Sequence, residues 1–173
     1  AAIIDHLLIK KEDKQVAYFG FFEVINDYSV AEALFNAAKT WLKKKQIHKM
    51  RGPIDGRIDM RCGLLLNGFH ETPFIFASYN PEYYVTFVEQ YGMEKCRDQL
   101  VYYLDLSDDI PDYLKKAAEK VKNMGITIRG FNRLRAGKEL KWWVPMMMKT
   151  FSFHWGYVEV PESEVMTRFG VKQ

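Results

Sequence analysis

Residues 80–96, NPEYYVTFVEQYGMEKC, put three tyrosines and a phenylalanine on what reads as one capped helix. A helical tyrosine can hand a proton to a reacting group, or it can only pack its ring into a core. Few other groups compete for a chemical role. His6, His48, His70 and His154 share no metal-ligand spacing, so no metal site is expected. Cys62 and Cys96 form no C-x-x-C, which fits a reduced chain. Arg61 beside Cys62 would lower a thiol pKa, but no histidine in sequence range can serve as partner, so an inert thiol is expected. Lys43, Lys44 and Lys45, with Lys49 and Arg51, form a basic cluster that reads first as a solvated helix end. Trp142, Trp143, Met146, Met147 and Met148 form a stripe suited to core or interface packing, or to the wall of an acyl pocket.

The elements that must position these groups belong to a globular chain. Its 173 residues are 48% hydrophobic, 15% aromatic and 27% charged, enough for one full core. A net charge of +3 is too weak to imply nucleic acid by itself. No apolar run approaches the ~20 residues of a membrane helix, so no membrane partner is expected and a cytoplasmic location is the natural reading.

Residues 1–10 fit a short buried strand, and 15–25 (QVAYFGFFEVI) give the strongest strand signal, with Gly20 suggesting a bulge. A helix follows. Ser29 and Glu32 have capping-box spacing, and Val30, Leu34, Ala37, Ala38 and Trp41 give it one apolar face. Residues 47–54 (IHKMRGPI) read as a strand parallel to the first across this helix. After a glycine-punctuated excursion over 55–73, residues 73–80 read as a short strand or extended loop. Asn80 is the expected cap of the tyrosine-bearing helix, with Pro81 at its first position and Gly92 as its stop. Strands are expected at 99–106 and 126–131, and helices at 112–124, 138–151 and 162–169, with Pro145 kinking or breaking the second of these. The order argues for a layered α/β domain: a mixed, partly parallel, twisted sheet with helices on both faces.

The succession of strand, capped helix, RGP (51–53), GLLLNGF (63–69), YNPEYY (79–84) and GMEKCRD (92–98) resembles a GNAT-like group of acyl-CoA N-acyltransferase-fold proteins. Members carry close versions of RGP, GLL-x-x-GF, YNPPYY and GF-x-K-x-x-D. The likeness covers mainly residues 1–106. HWGYVEVPESE (154–164) is similar to the NWGF-x-P-x-x-x-E of a second such module, so 107–173 reads as the start of that module. Two arrangements stay open: a piece of a longer two-module protein, or a permuted module whose later elements complete the first sheet, within one chain or swapped in a homodimer.

The resemblance implies an acyl group moved from acetyl-CoA or another acyl-CoA to the amine of a small molecule or peptide. The acyl-CoA pyrophosphate would lie on backbone N–H groups at the start of the central helix, here Val24, Asp27, Tyr28, Ser29, Val30 and Ala31. The general base would be Glu23, flanked on its strand face by apolar residues that would raise its pKa. Backbone N–H groups near Glu23 and Val24 would polarise the thioester carbonyl. The proton donor's usual place falls on Val88, which carries no proton, so that role passes to Tyr84, one turn earlier on the same face. A second reading is a ligand- or protein-binding domain that kept the fold and lost the chemistry. A basic nucleic-acid-binding module is the weakest of the three, and nucleic acid is not expected.

Overall fold

The computed structural model describes residues 1–12, 15–75, 77–105, 107 and 109–168. The chain divides into two compact units, one of residues 1–94 and 142–173, the other of 95–141. This division differs from the boundary near residue 106 expected from the motifs.

The first unit is built on a small mixed sheet. Strand β1 is Ala2–Ile3, helix α1 is His6–Glu12, β2 is Val16–Phe19, α2 is Tyr28–Lys44, β3 is Lys49–Arg51 and α3 is Tyr83–Gln90. The sheet order is β1-β2-β3. Antiparallel pairing sets Ala2 opposite Phe19, and parallel pairing sets Val16 opposite Lys49 and Tyr18 opposite Arg51. The parallel pair joined through a helix is the arrangement that the strand–helix–strand order implied.

All four residues of β2 are buried, and alternation sends them to two different cores. Val16 and Tyr18 pack with Leu8 of α1, Ile54, Val158 and Val160. On the other face, Ala17 joins Leu42 and Ile47, while Phe19 joins Ala31 and Phe35 of α2 and Phe87 of α3. An ion pair and a hydrogen bond tie the C-terminal segment to the first of these cores: Arg57, held by Asp5 at 3.0 Å, reaches Glu164 at 2.8 Å, and Lys11 donates to the carbonyl of Ser152 at 3.0 Å.

Several elements differ from the sequence expectation. Residues 1–10 are not one strand, because Asp5 caps a helix: its carboxylate accepts from the N–H groups of Leu7 (2.9 Å) and Leu8 (3.3 Å). The long strand over 15–25 stops at Phe19. A Cβ at Gly20 would overlap the Ile54 carbonyl oxygen, and Phe21 follows with φ +49°, which turns the chain out of the sheet. The cap of α2 is Asp27, whose carboxylate takes Ser29 N–H at 2.9 Å and Ser29 Oγ at 2.7 Å, in place of the Ser29–Glu32 box. The buried face of α2 is Ala31, Phe35 and Leu42. Val30, Leu34 and Trp41, read in the sequence as part of the apolar face of this helix, are exposed.

The second unit contains α4 (Asp112–Asn123), which has no buried residue, and an Arg129–Glu139 ion pair at 2.8 Å. The described parts of 99–106, and residues 126–131, form no strand, and Tyr102 and Tyr103 are 83% and 93% exposed. β-Forming side chains favour a strand only where a neighbour supplies the ladder, and the sheet of β1, β2 and β3 includes neither segment. Helix α5 (Ala136–Phe151) passes through Pro145 without a break, and α6 spans Glu162–Arg168. Leu106 and Phe169, at the ends of an expected strand and helix, and Phe76, in the expected 73–80 segment, lie outside the described residues. Among the described residues no helix is long and apolar enough to cross a membrane.

Burial holds the Tyr18 phenol neutral and pushes its pKa from 10.0 up to about 12, with Arg51 opposing and Glu12 and Asp5 reinforcing the shift. The stabilisation linked to this proton is complete below pH 10 and is lost as pH rises through about 12. Urea midpoints measured across that window should fall more steeply for the wild type than for Tyr18→Phe. Parallel curves would contradict the assignment.

Candidate functional site

Gly20 still exchanges hydrogen bonds with Ala1, but from Phe21 to Val24 the chain on the way to α2 has no strand partner, so its backbone polar groups need partners from elsewhere. Side chains supply them. The Asp55 carboxylate accepts from Phe21 N–H at 2.5 Å. Tyr84 Oη accepts from Val24 N–H at 3.0 Å, and Tyr83 Oη donates to the Val24 carbonyl at 2.9 Å. Consecutive tyrosines at the start of α3 thus hold both backbone groups of one residue. Their rings belong to an aromatic cluster, with Phe22 edge-on to Tyr84 at 5.0 Å and Tyr83 beside Phe87 at 5.2 Å.

Tyr84 also donates to Glu23 Oε2 at 3.0 Å, so the two residues expected to act together, 61 positions apart, share a hydrogen bond. Burial is the main force raising the Tyr84 pKa, the Val24 hydrogen bond opposes it, and the Glu23 carboxylate adds to it. The phenol therefore keeps its proton throughout the neutral range. The apolar surroundings expected for Glu23 are absent: its side chain is 75% exposed, because Phe19 turns into the core and Phe21 turns outward. Its nearest cation is Arg61, 4.0 Å away.

Arg61 is itself fixed by Asp55 at 2.7 Å, and the Asp55 carboxylate is 9% exposed. Glu23, Tyr84, Asp55 and Arg61 line one small cleft of about 40 Å³, together with Gly63, Leu64 and Ser78 to Pro81. Asn80 is part of that lining instead of capping α3. Its Oδ1 accepts from Leu65 N–H at 2.7 Å, and the residue before α3 is Glu82, with no side-chain cap. Ser78 Oγ adds a bond to the Cys62 carbonyl at 2.8 Å. The cleft can position a small polar group against a carboxylate, a phenol and a guanidinium.

The residues expected to hold a pyrophosphate are otherwise engaged. Val24 N–H, also the expected polariser of a carbonyl, is bonded to Tyr84. Ser29 N–H is bonded to Asp27, and Ala31 N–H to the Asp27 carbonyl at 3.3 Å. Tyr28 packs against Phe87 at 5.8 Å, and Val30 is exposed. The Ser29 hydrogen bonds hold the Asp27 carboxyl below its usual range, so a negative charge stands at the helix start near neutral pH. Of the basic cluster, Arg51 is paired with Glu12 at 3.3 Å and lies over the Trp155 ring at 4.9 Å. None of the Trp142–Met148 stripe lines the cleft.

Of the residues that line the cleft, sequence reading had singled out Glu23 and Tyr84 for chemistry; it gave no such place to Asp55 or Arg61, nor to Tyr83 beside them, and it read Asn80 as a cap. An acidic residue directly after the apolar end of the RGPI segment, with an arginine soon after, was the available signal for Asp55 and Arg61.

Comparison with known proteins adds the following. The chain is similar to an Escherichia coli protein. That relative, Protein YghO of strain K12, is 32% identical over 167 residues, which are 96% of this chain and 43% of that protein. A bacterial ceramide synthase of Caulobacter vibrioides is 27% identical over 165 residues, 95% of this chain and 43% of the enzyme. The chain thus spans less than half the length of these curated relatives. No family model matches it, and no solved structure matches it.

Removing the Asp55 carboxylate takes away the acceptor of Phe21 N–H and leaves Arg61 with only its longer contact to Glu23. Asp55→Ala should therefore cost about 1–3 kcal/mol in urea denaturation. Glu23→Ala, which removes an exposed side chain, should stay within about 0.5 kcal/mol of wild type. Equal costs for the two would refute the assigned roles.

Proposed function

We propose that this chain carries an N-acyl-transfer site of the GNAT type, moving an acyl group from a CoA thioester to an amine. The observation that carries the reading is the 3.0 Å hydrogen bond between Tyr84 and Glu23 on the wall of a cleft. The amine nitrogen attacks the thioester carbonyl and its proton passes to Glu23. Tyr84 gives its phenolic proton to the departing thiolate, and Glu23 restores that proton through the hydrogen bond they share. The similarity to a protein named as a ceramide synthase supports acyl transfer, since a ceramide is the amide of a long-chain amine. On that basis the acceptor is a lipidic amine.

A second reading is favoured by Asp27. Its carboxylate occupies the α2 N-terminus where the resemblance puts a pyrophosphate, as in a binding domain that has lost the chemistry. The two readings separate by experiment. On the catalytic reading, Glu23→Gln and Tyr84→Phe each lower kcat/KM for acylation of a long-chain amine by about 10²–10⁴-fold, with Glu23→Gln leaving Tm unchanged. Asp27→Asn should tighten acyl-CoA binding, measured by thermal shift, because it removes the charge opposing the pyrophosphate. Full activity in Glu23→Gln would remove it from the mechanism, and no response to acyl-CoA in wild type or Asp27→Asn would favour the binding domain.

A further inference from the structure

Helix α2 buries Ala31, Phe35 and Leu42, yet a second apolar row runs beside that face in the open. Val30, Leu34, Ala37 and Trp41 recur at intervals of four, three and four residues, so they lie on one side of the helix. Val30 is 37% exposed, Leu34 45% and Trp41 42%. Lys44 and Lys45 follow Trp41 by three and four residues and continue the row. The chain carries no carboxylate between Glu32 and Asp55, and no ion pair among the described residues involves Lys43, Lys44, Lys45 or Lys49.

An apolar row ending in a tryptophan and unneutralised lysines has the chemistry of a helix lying in the plane of an anionic lipid surface. Apolar side chains enter the acyl boundary, the indole sits at headgroup level and the ammonium groups meet lipid phosphates. Nucleic acid would account for the lysines and not for Val30 and Leu34. We infer that the outer face of α2 docks this protein on the surface of a bilayer containing anionic lipid. This changes the expectation that no membrane takes part, while no described helix needs to cross one. The segment leading into α2 carries Glu23 and exposes Phe21 (57%) and Ile25 (67%), so the proposed acyl-transfer residues belong to the stretch of chain that enters the docking helix.

The inference stands apart from acyl transfer, because binding is read without any acyl donor. The whole chain is sedimented with phosphatidylcholine vesicles containing about one third phosphatidylglycerol, and with phosphatidylcholine alone, at low and high salt. The expected result is binding to the anionic vesicles that weakens with salt. Lys44→Gln/Lys45→Gln and Leu34→Ser/Trp41→Ser should each weaken it about tenfold or more, with unchanged circular dichroism. The inference is overturned if either double variant binds like wild type, or if uncharged vesicles bind equally well. It is also overturned if vesicles do not bind and the stripe variant instead dissolves a dimer. Retention of the chain by RNA or DNA, lost only in the lysine variant and without vesicle binding, overturns it as well.

Discussion

Two adjacent phenols hold one peptide unit, and the arrangement of the site depends on it. Val24 lies in a segment that has left the sheet, so its N–H and C=O must find partners or stay in water. Tyr84 accepts from the N–H and Tyr83 donates to the carbonyl, which fastens the approach to α2 onto the start of α3. Because Glu23 precedes Val24, the same fastening brings its carboxylate to the Tyr84 hydroxyl. One contact is therefore both a structural clamp and the proposed proton-transfer pair.

The clamp works because the surrounding sheet is short and its neighbours are aromatic. β2 ends where Gly20 passes the Ile54 backbone and Phe21 takes a positive φ. Past that point no ladder continues. Phe19, Phe22, Phe35, Phe87 and the two tyrosines fill the space between α2 and α3, and their rings fix the height at which the phenolic oxygens emerge. Asp55 and Arg61 hold the opposite end of the same segment through Phe21 N–H. The cleft is thus framed by side chains that compensate for an interrupted strand.

Much of this was legible in the chain itself. The central helix and the parallel pair around it follow from local pattern, and the family resemblance had named Glu23 and Tyr84, which the structure shows sharing a hydrogen bond. What was not legible depended on tertiary competition. Asp27 and Ser29 both have capping chemistry, and the sequence does not rank them; the structure gives the role to Asp27. Helix α2 has two apolar rows, and periodicity cannot say that the Ala31, Phe35 and Leu42 row meets the sheet while the Val30, Leu34 and Trp41 row does not. The β-rich run at 99–106 lacks a partner strand among the described residues, and propensity alone makes no sheet. Asn80 looked like a cap because caps are local, whereas its actual partner, Leu65 N–H, lies 15 residues away.

The central claim is that the Tyr84 hydroxyl holds the Val24 amide and thereby places Glu23. Amide hydrogen exchange at Val24 tests it most directly, since an N–H bonded to a side chain exchanges only when that bond opens. In Tyr84→Phe, Val24 should exchange about tenfold faster or more, with Ala17 and Tyr18 in β2 unchanged. A Val24 amide equally protected in the variant would contradict the account.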